Sequence, residues 1–184
     1  MGSIWSIREL VPHSDFPHEA VQTVTAQILG FDTESLFVEF AVRPTEGVAL
    51  PPETAPVRTD GLWQTTCFEA FLRPAGSEKY LEMNFSPSFA WAAYTFDRYR
   101  EGMWPTPLRL DPEIKTSICG SDYFLSAEFD VLPFLSGPTM LGLSAVIQQQ
   151  DGTKSFWALA HPPGPPDFHH PDCFVFELPP PDTP

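Results

Sequence analysis

Glu69 is the residue of this sequence with the clearest chemical requirement. It lies in the run Cys67-Phe68-Glu69-Ala70-Phe71-Leu72, which otherwise has the composition of a buried β-strand. An ionised carboxylate there needs a partner or a ligand, because removing its water costs several kcal/mol. Trp63 lies just upstream, and an aromatic plate beside a buried carboxylate is one way in which proteins hold small polyhydroxylated molecules. The alternative is that both residues only complete the core of a β-sandwich.

Other polar and aromatic residues can share a face with Glu69. Alternation places Glu82 and Asn84 together on one predicted strand, and it places Arg43 and Trp91 on the polar faces of two others. If these strands lie side by side in one sheet, all five side chains meet on one face. Arginine, carboxylate and amide groups bind vicinal hydroxyls in a bidentate way. The alternative is that Arg43 pairs with one of the acids and Trp91 belongs to the core.

The elements that must position these residues are β-strands. Alternating segments dominate the chain, no long segment has the helical period, and turn sequences such as Pro74-Ala75-Gly76 separate the runs. We therefore predict an all-β fold, a single antiparallel β-sandwich of roughly ten strands with immunoglobulin-like architecture. The domain covers residues 1–178, and residues 179–184 form a disordered proline-rich tail. The predicted strands are 21–29, 36–43, 64–72, 80–85, 91–99, 114–119, 123–129, 140–148, 155–159 and 173–178.

Two long connections interrupt this pattern, at 44–62 and 160–172. Loops of this length are often functional, and their prolines restrict the unfolded chain, so both can be rigid although long. The second loop contains His161 and His169. We expect this loop to form a wall or lid of a pocket.

The composition excludes several classes of function. The net charge is −14 with only ten Lys and Arg, which disfavours binding to nucleic acid and to anionic membranes. The first ten residues lack the pattern of a secretory signal, no apolar run approaches the length of a membrane span, and three cysteines do not make a disulfide framework. We expect a cytoplasmic protein with a small-molecule ligand, and the composition does not specify an oligomeric state.

Three stretches together resemble the DOMON-like superfamily, in particular a branch of small bacterial domains related to family 9 carbohydrate-binding modules. They are Gly61-Leu62-Trp63-Gln64-Thr65-Thr66-Cys67-Phe68-Glu69-Ala70-Phe71, Tyr80-Leu81-Glu82-Met83-Asn84-Phe85-Ser86-Pro87-Ser88, and Trp91-Ala92-Ala93-Tyr94 with Phe96-Asp97. The resemblance covers about residues 5–178 and implies a β-sandwich that binds sugars or haem; it does not imply catalysis.

In the sugar-binding modules of that superfamily, two aromatic rings sandwich the sugar while acidic, amide and arginine groups take its hydroxyls. By position in the motif, Trp63, Glu69 and Asn84 match this pattern. Trp157 and Trp91 are the candidates for the second ring, with Phe168 as a weaker one. The modules are usually secreted and attached to enzymes, whereas this sequence has no visible signal, which makes a small soluble ligand more plausible than a polysaccharide.

Other chemistry is also open to this sequence. Haem-binding members of the superfamily use Met with His, and this chain offers Met83, Met103 and Met140 beside His161, His169 and His170. The spacing of His161, Asp167, His169, His170 and Cys173 matches no standard metal site. Glu69 with Glu82 could form a hydrolase pair, and Cys67 could be a nucleophile if a histidine approached it.

The sequence thus predicts a non-catalytic small-ligand-binding module with carbohydrate as the leading ligand class. Haem binding through Met and His, and an inert structural or interaction module, are the alternatives, and no metal site is predicted. The predicted ligand-binding residues are Trp63, Glu69, Asn84, Arg43, Trp91, Trp157, Glu82, His161 and His169.

Overall fold

A computed structural model describes residues 7–32, 34–131, 134–135 and 137–180. These residues form thirteen β-strands and two short 3-10 helices, which cover Leu62–Gln64 and Pro171–Cys173. Within the described part of the chain, no helix has the length and apolar character needed to cross a membrane. The strands are β1 (Arg8–Glu9), β2 (Val11–Pro12), β3 (Thr23–Phe31), β4 (Ser35–Arg43), β5 (Cys67–Pro74), β6 (Tyr80–Phe85), β7 (Trp91–Phe96), β8 (Trp104–Pro105), β9 (Glu113–Cys119), β10 (Asp122–Asp130), β11 (Thr139–Gln148), β12 (Lys154–Ala158) and β13 (Phe176–Leu178).

The strands form two antiparallel sheets that pack as a sandwich. The five-stranded sheet has the order β1-β3-β4-β10-β9, and the eight-stranded sheet has the order β2-β12-β11-β5-β6-β7-β8. The eighth strand, β13, pairs with Thr139–Leu141 of β11, while β12 pairs with the later part of β11. This arrangement confirms the predicted all-β sandwich. It adds the short strands β1, β2 and β8, which alternation did not indicate.

The main core lies between the two sheets, because the apolar residues of the alternating strands face inward. Phe40 of β4 faces Phe68 of β5 across the sandwich with ring centroids 5.1 Å apart, and Tyr123 of β10 stacks on the same Phe68 ring at 6.3 Å. These side chains are buried. In β4 and β10 the buried residues alternate with half-buried or exposed ones, because one face of the five-stranded sheet contacts solvent.

The eight-stranded sheet differs because both of its faces are covered. Every residue of β6 and β7 is buried, as are the first six of β5. A second apolar cluster lies on the outer face of this sheet, built from β5, β6, β7 and the loops around residues 62, 168 and 174. The long connections therefore act as a third layer over part of the sheet. This covered outer face carries Glu69, Glu82 and Asn84.

Parts of the sequence-based prediction lie outside the described residues. They are residues 1–6, 33, 132–133 and 136 of the predicted domain and residues 181–184 of the predicted tail. Pro179 and Pro180 are described and exposed. The domain limits therefore stay a prediction.

Phe68 is the side chain on which we expect the sandwich core to depend most clearly. Phe68→Ala removes a fully buried ring between the sheets, so the free energy of unfolding should fall by about 3–5 kcal/mol. Urea denaturation followed by circular dichroism measures this change. Ile118→Thr, at a strand position that is 67% exposed, is the control and should change stability by less than about 0.5 kcal/mol. Equal losses for the two variants would contradict this description of the core.

Candidate functional site

A cavity of about 530 Å³ lies on the covered outer face of the eight-stranded sheet. Its size is in the range of small-molecule sites. Two carboxylic acids, Glu69 and Glu82, lie at the cavity, where their side chains come from neighbouring strands. The aromatic residues that line it are Trp63, Tyr94, Phe96, Phe156 and Phe168.

Strand register brings the two acids together. Glu69 of β5 lies opposite Asn84 of β6 on one side and opposite Ser144 of β11 on the other. Glu82 is two residues from Asn84 on the same face of β6, so it is a diagonal neighbour of Glu69 at roughly 7 Å. The residues of this polar strip are buried: Glu69 is 3% exposed, Glu82 5% and Asn84 0%.

Each acid uses one oxygen within the protein. Ser144 Oγ donates to Glu69 Oε2 at 3.1 Å, and Asn84 Nδ2 donates to Glu82 Oε1 at 2.7 Å. The Cys67 thiol in turn donates to Asn84 Oδ1 at 3.6 Å. Asn84 therefore lies beneath the cavity and orients Glu82. Over the described residues, no lysine or arginine forms an ion pair with either acid.

Burial controls the protonation of these acids. Loss of solvation raises the pKa of Glu69 and of Glu82 well above the usual range for glutamic acid, and the charge of Glu82 raises the pKa of Glu69 further. The hydrogen bonds from Ser144 and Asn84 oppose the shift only in part. The pair is consequently able to hold protons near neutral pH, where isolated carboxyl groups are ionised.

His169 forms a wall of the cavity as a neutral side chain. Burial, and then the charge of Arg100, lower its pKa to about 4. Tyr80 Oη lies 2.8 Å from Nδ1 of His169 and also accepts the backbone N–H of Arg100. Burial raises the pKa of Tyr80 to about 12, so the hydroxyl keeps its proton. Because the Tyr80 oxygen already accepts from the Arg100 N–H, we assign the hydroxyl as the donor to Nδ1. The remaining proton of the imidazole is then on Nε2, which is 3.7 Å from Glu82 Oε2.

Arg100 and Asp167 connect two loops at the cavity rim. The Arg100 guanidinium donates to Asp167 Oδ1 at 2.8 Å through an η nitrogen and at 3.2 Å through Nε, and Tyr99 Oη donates to Oδ2. Burial opposes ionisation of Asp167, but these hydrogen bonds and the positive charge keep the pKa of its carboxyl below the usual value. The charge of Arg100 is thus already paired. The contact fixes the turn after β7 against the loop that carries Phe168 and His169.

Trp63 is positioned by a tight turn before β5. Gly61 has φ of 77°, in the left-handed region that glycine adopts without a steric penalty, and the 3-10 helix Leu62–Gln64 follows. Asp60 accepts a hydrogen bond from Tyr94 Oη at 2.5 Å, which ties the turn to β7. The Trp63 ring stands edge-on to Tyr94 with centroids 6.5 Å apart and is 44% exposed. It is an accessible plate at the cavity mouth.

The structure brings together some of the predicted site residues. Trp63, Glu69, Glu82 and His169 line the cavity, and Asn84 supports Glu82 from below. Phe168, the weaker candidate for a second ring, also lines it. The loop 160–172 forms a wall through Pro166, Phe168 and His169, as expected.

Four predicted residues lie elsewhere. Arg43 ends β4 in the other sheet, where it pairs with Asp122 at 2.9 Å, so the expectation that it shares a face with Glu69 is wrong. Trp91 and Trp157 point into the main core, because both lie at strand positions whose side chains face away from the cavity. His161 donates from Nε2 to the carbonyl of Val11 at 2.8 Å and lines a separate depression.

Sequence reasoning missed Tyr94, Phe96, Phe156 and Arg100. The five residues 86–90 connect β6 to β7, which places Tyr94 opposite Glu82 and next to Phe96 on one face. Counting that hairpin register would have found both rings. Arg100 follows the predicted strand 91–99, but β7 ends at Phe96 and Arg100 turns back toward the cavity. No local signal predicts this, since it depends on Asp167 from a distant loop.

The structure also shows where the candidate residues for nucleophilic, haem-binding and metal-binding chemistry lie. The Cys67 thiol is buried against Asn84 and the carbonyl of Phe68, and burial together with Glu69 and Glu82 raises its pKa. Met83 lies in the main core, whereas Met103 lines the cavity. Among the described side chains, no cluster of three or more His, Cys, Asp or Glu is arranged to hold a metal ion.

Comparison with known proteins supports the fold alone. No family model matches this chain, and no curated protein is similar to it in sequence. A protein from Bacteroides uniformis, provisionally classed as carbohydrate-binding, superposes with a TM-score of 0.67 at 16% identity over 92% of this chain and 84% of its own. A family 9 carbohydrate-binding module from Caldicellulosiruptor kristjanssonii, solved with cellotriose, superposes with a TM-score of 0.57 at 11% identity over 87% and 75% of the two chains.

The buried acids should make stability depend on pH in a specific direction. Below about pH 4.3, Glu82 is protonated in both the folded and the unfolded chain. As pH rises, the unfolded chain ionises first, so the raised pKa of folded Glu82 costs stability until the folded group ionises too. Glu82→Gln keeps an acceptor for Asn84 without this cost. Relative to the unmodified protein, it should gain about 1–3 kcal/mol between pH 4 and pH 9.

Urea denaturation at a series of pH values measures that gain. The matched control is Glu128→Gln, which removes an exposed carboxyl group from the five-stranded sheet away from the cavity and should not reproduce this gain. Parallel stability curves for Glu82→Gln and the unmodified protein would show that Glu82 titrates normally.

Proposed function

We propose that this protein is a non-catalytic module that binds a small carbohydrate in the cavity over β5, β6 and β7. One observation carries the proposal: two buried carboxylic acids, Glu69 and Glu82, lie at the floor of an aromatic-walled cavity of about 530 Å³. Each has an oxygen without a hydrogen bond from the described residues. Because both acids line the cavity, these oxygens are open to a ligand that supplies the missing hydrogen-bond partner.

The arrangement suits a sugar because it combines flat apolar surfaces with polar groups at one end. Trp63, Tyr94 and Phe168 offer ring faces or edges for the C–H surface of a pyranose. A protonated carboxyl donates one hydrogen bond and accepts others, so Glu69 and Glu82 can serve both the hydrogen and the oxygen of a hydroxyl. His169 adds a donor at Nε2. Each such contact replaces one with water and yields about 1 kcal/mol, so binding will be weak.

The fold likeness supports this ligand class without specifying a ligand. The module from Caldicellulosiruptor kristjanssonii binds cellotriose, and its sandwich superposes on this one. The motifs around Trp63, Glu69 and Asn84 are the ones by which the sequence resembles the DOMON-like superfamily. Because Trp63 and Glu69 line the cavity and Asn84 supports Glu82, the structure gives those motif positions a common location. Membership of that superfamily is part of the proposal.

Two features favour binding over catalysis. A glycosidase pair needs one ionised carboxylate beside one protonated acid, whereas burial raises the pKa of both Glu69 and Glu82 and so favours the protonated form of each. Cys67 contacts Asn84 rather than an imidazole, and its raised pKa disfavours the thiolate. Neither group is therefore activated in the way that the corresponding reactions require.

Haem remains a separate prediction because Met103 and His169 line the same cavity. Both ring nitrogens of His169 are directed at protein groups, Tyr80 and Glu82, which leaves neither aimed at open space. An absorption spectrum after haem addition tests this hypothesis. A Soret band that is lost in His169→Ala would support haem, and its absence would remove that alternative.

Trp63 provides the test of carbohydrate binding. Trp63→Ala removes the exposed plate at the cavity mouth, so affinity for glucose, cellobiose or cellotriose should fall by about fivefold or more. Isothermal titration calorimetry measures the dissociation constants. Trp104→Ala is the matched control, because Trp104 is similarly exposed at 41% and does not line the cavity. If a broad panel of saccharides gives no binding to the unmodified protein, the proposal fails.

A further inference from the structure

The cavity floor lacks a positive charge to balance its two acids. Glu69 Oε1 and Glu82 Oε2 accept no hydrogen bond from the residues that the structure describes, although both side chains are more than nine-tenths buried. The partners that they do have, Ser144 and Asn84, are neutral. The floor is thus a pair of acceptors that point at the same space.

The cationic groups close to the floor are committed to other contacts or are uncharged. Arg100 lines the cavity, but its guanidinium makes two hydrogen bonds to Asp167 at the rim. His169 is 3.7 Å from Glu82 Oε2, and it is neutral because burial lowers its pKa to about 4. Arg43, which could have balanced the acids, is in the other sheet. The protein therefore does not complete this charge arrangement by itself.

The walls of the cavity also favour a positively charged ligand. Aromatic faces attract cations because the ring quadrupole places negative potential above the plane. Five aromatic residues surround the two acids, on β7, β12, the turn before β5 and the loop 160–172. The net charge of −14 also raises the local concentration of cations around the whole molecule. Carboxyl groups enclosed by aromatic rings favour an ammonium group over a neutral hydroxyl.

We propose that the carbohydrate bound in this cavity is an amino sugar with a free amine, whose ammonium group lies between Glu69 and Glu82. This inference rests on the proposed carbohydrate-binding function. The ammonium group offers three N–H donors, and it can reach Glu69 Oε1 and Glu82 Oε2 together because the two residues are diagonal neighbours. The sugar ring then extends toward Trp63 at the cavity mouth. The raised pKa values keep protons on this pair in the free protein, and the adjacent ammonium charge favours ionisation of the acids when the ligand binds. Hydrogen bonds between charged partners are roughly twice as strong as neutral ones, which provides selectivity for the amine.

Calorimetry with three related monosaccharides tests the inference. Glucosamine, glucose and N-acetylglucosamine share a ring, and only glucosamine carries a charge at about pH 6.5. We expect glucosamine to bind at least about tenfold more tightly than either neutral sugar, since only it balances the acids. If glucose or N-acetylglucosamine binds as tightly as glucosamine, the amine inference fails while carbohydrate binding stands. If neither these sugars nor cellotriose binds, the proposed function fails as well.

Glutamine substitutions locate the source of the preference. In Glu69→Gln/Glu82→Gln the shape of the floor is kept but it can no longer ionise, so glucosamine and glucose should bind with similar affinity. The control Glu128→Gln removes one exposed acid far from the cavity and should keep the full preference. If the double variant does not fold, as judged by circular dichroism, the single variants serve, and each should lose at least about half of the preference on a logarithmic scale. A preference for glucosamine that survives removal of both acids would overturn the assignment.

Discussion

Two carboxyl groups are held out of bulk water on one face of a β-sheet, and the rest of the site is arranged around that constraint. Glu69 and Glu82 occupy neighbouring strands at positions where alternation alone directs them away from the main core. Their burial requires a third layer over the eight-stranded sheet, and the long loops provide it. Because the described residues include no cation paired with these acids, the cavity is left chemically incomplete. A ligand that donates hydrogen bonds to the two acids would complete the site and stabilise the folded protein.

The loops that cover the floor are tied down by their own polar contacts. The Arg100–Asp167 pair joins the turn after β7 to the loop 160–172, while Tyr94 and Asp60 join β7 to the turn that carries Trp63. These bonds lie at the rim, so they hold the walls in place without filling the cavity. The aromatic residues on those walls are consequently fixed relative to the acids. A preorganised site of this kind loses little conformational entropy when a ligand enters.

The likeness to carbohydrate-binding sandwiches concerns the fold, whereas the argument for a ligand comes from the cavity. At 16% and 11% identity, the two superposed proteins share an architecture with this chain but few side chains. The same sandwich can carry unrelated sites, so the residues of the cavity must support any functional statement. Here they do so through the burial of Glu69 and Glu82, the neutral His169 and the exposed Trp63. This combination distinguishes the cavity from the separate depression beside His161.

The sequence by itself determined the longer strands and the alternation of side chains within them. Alternation predicted β6 with both ends correct and placed Glu82 and Asn84 together, because a period of two follows from local backbone geometry. It did not determine which strands pair. Arg43 and Trp91 were therefore assigned to the wrong surroundings, and Arg100 was missed. Tertiary structure decided those points, since strand order, register and loop contacts such as Arg100 with Asp167 join residues far apart in the chain and carry no local signal.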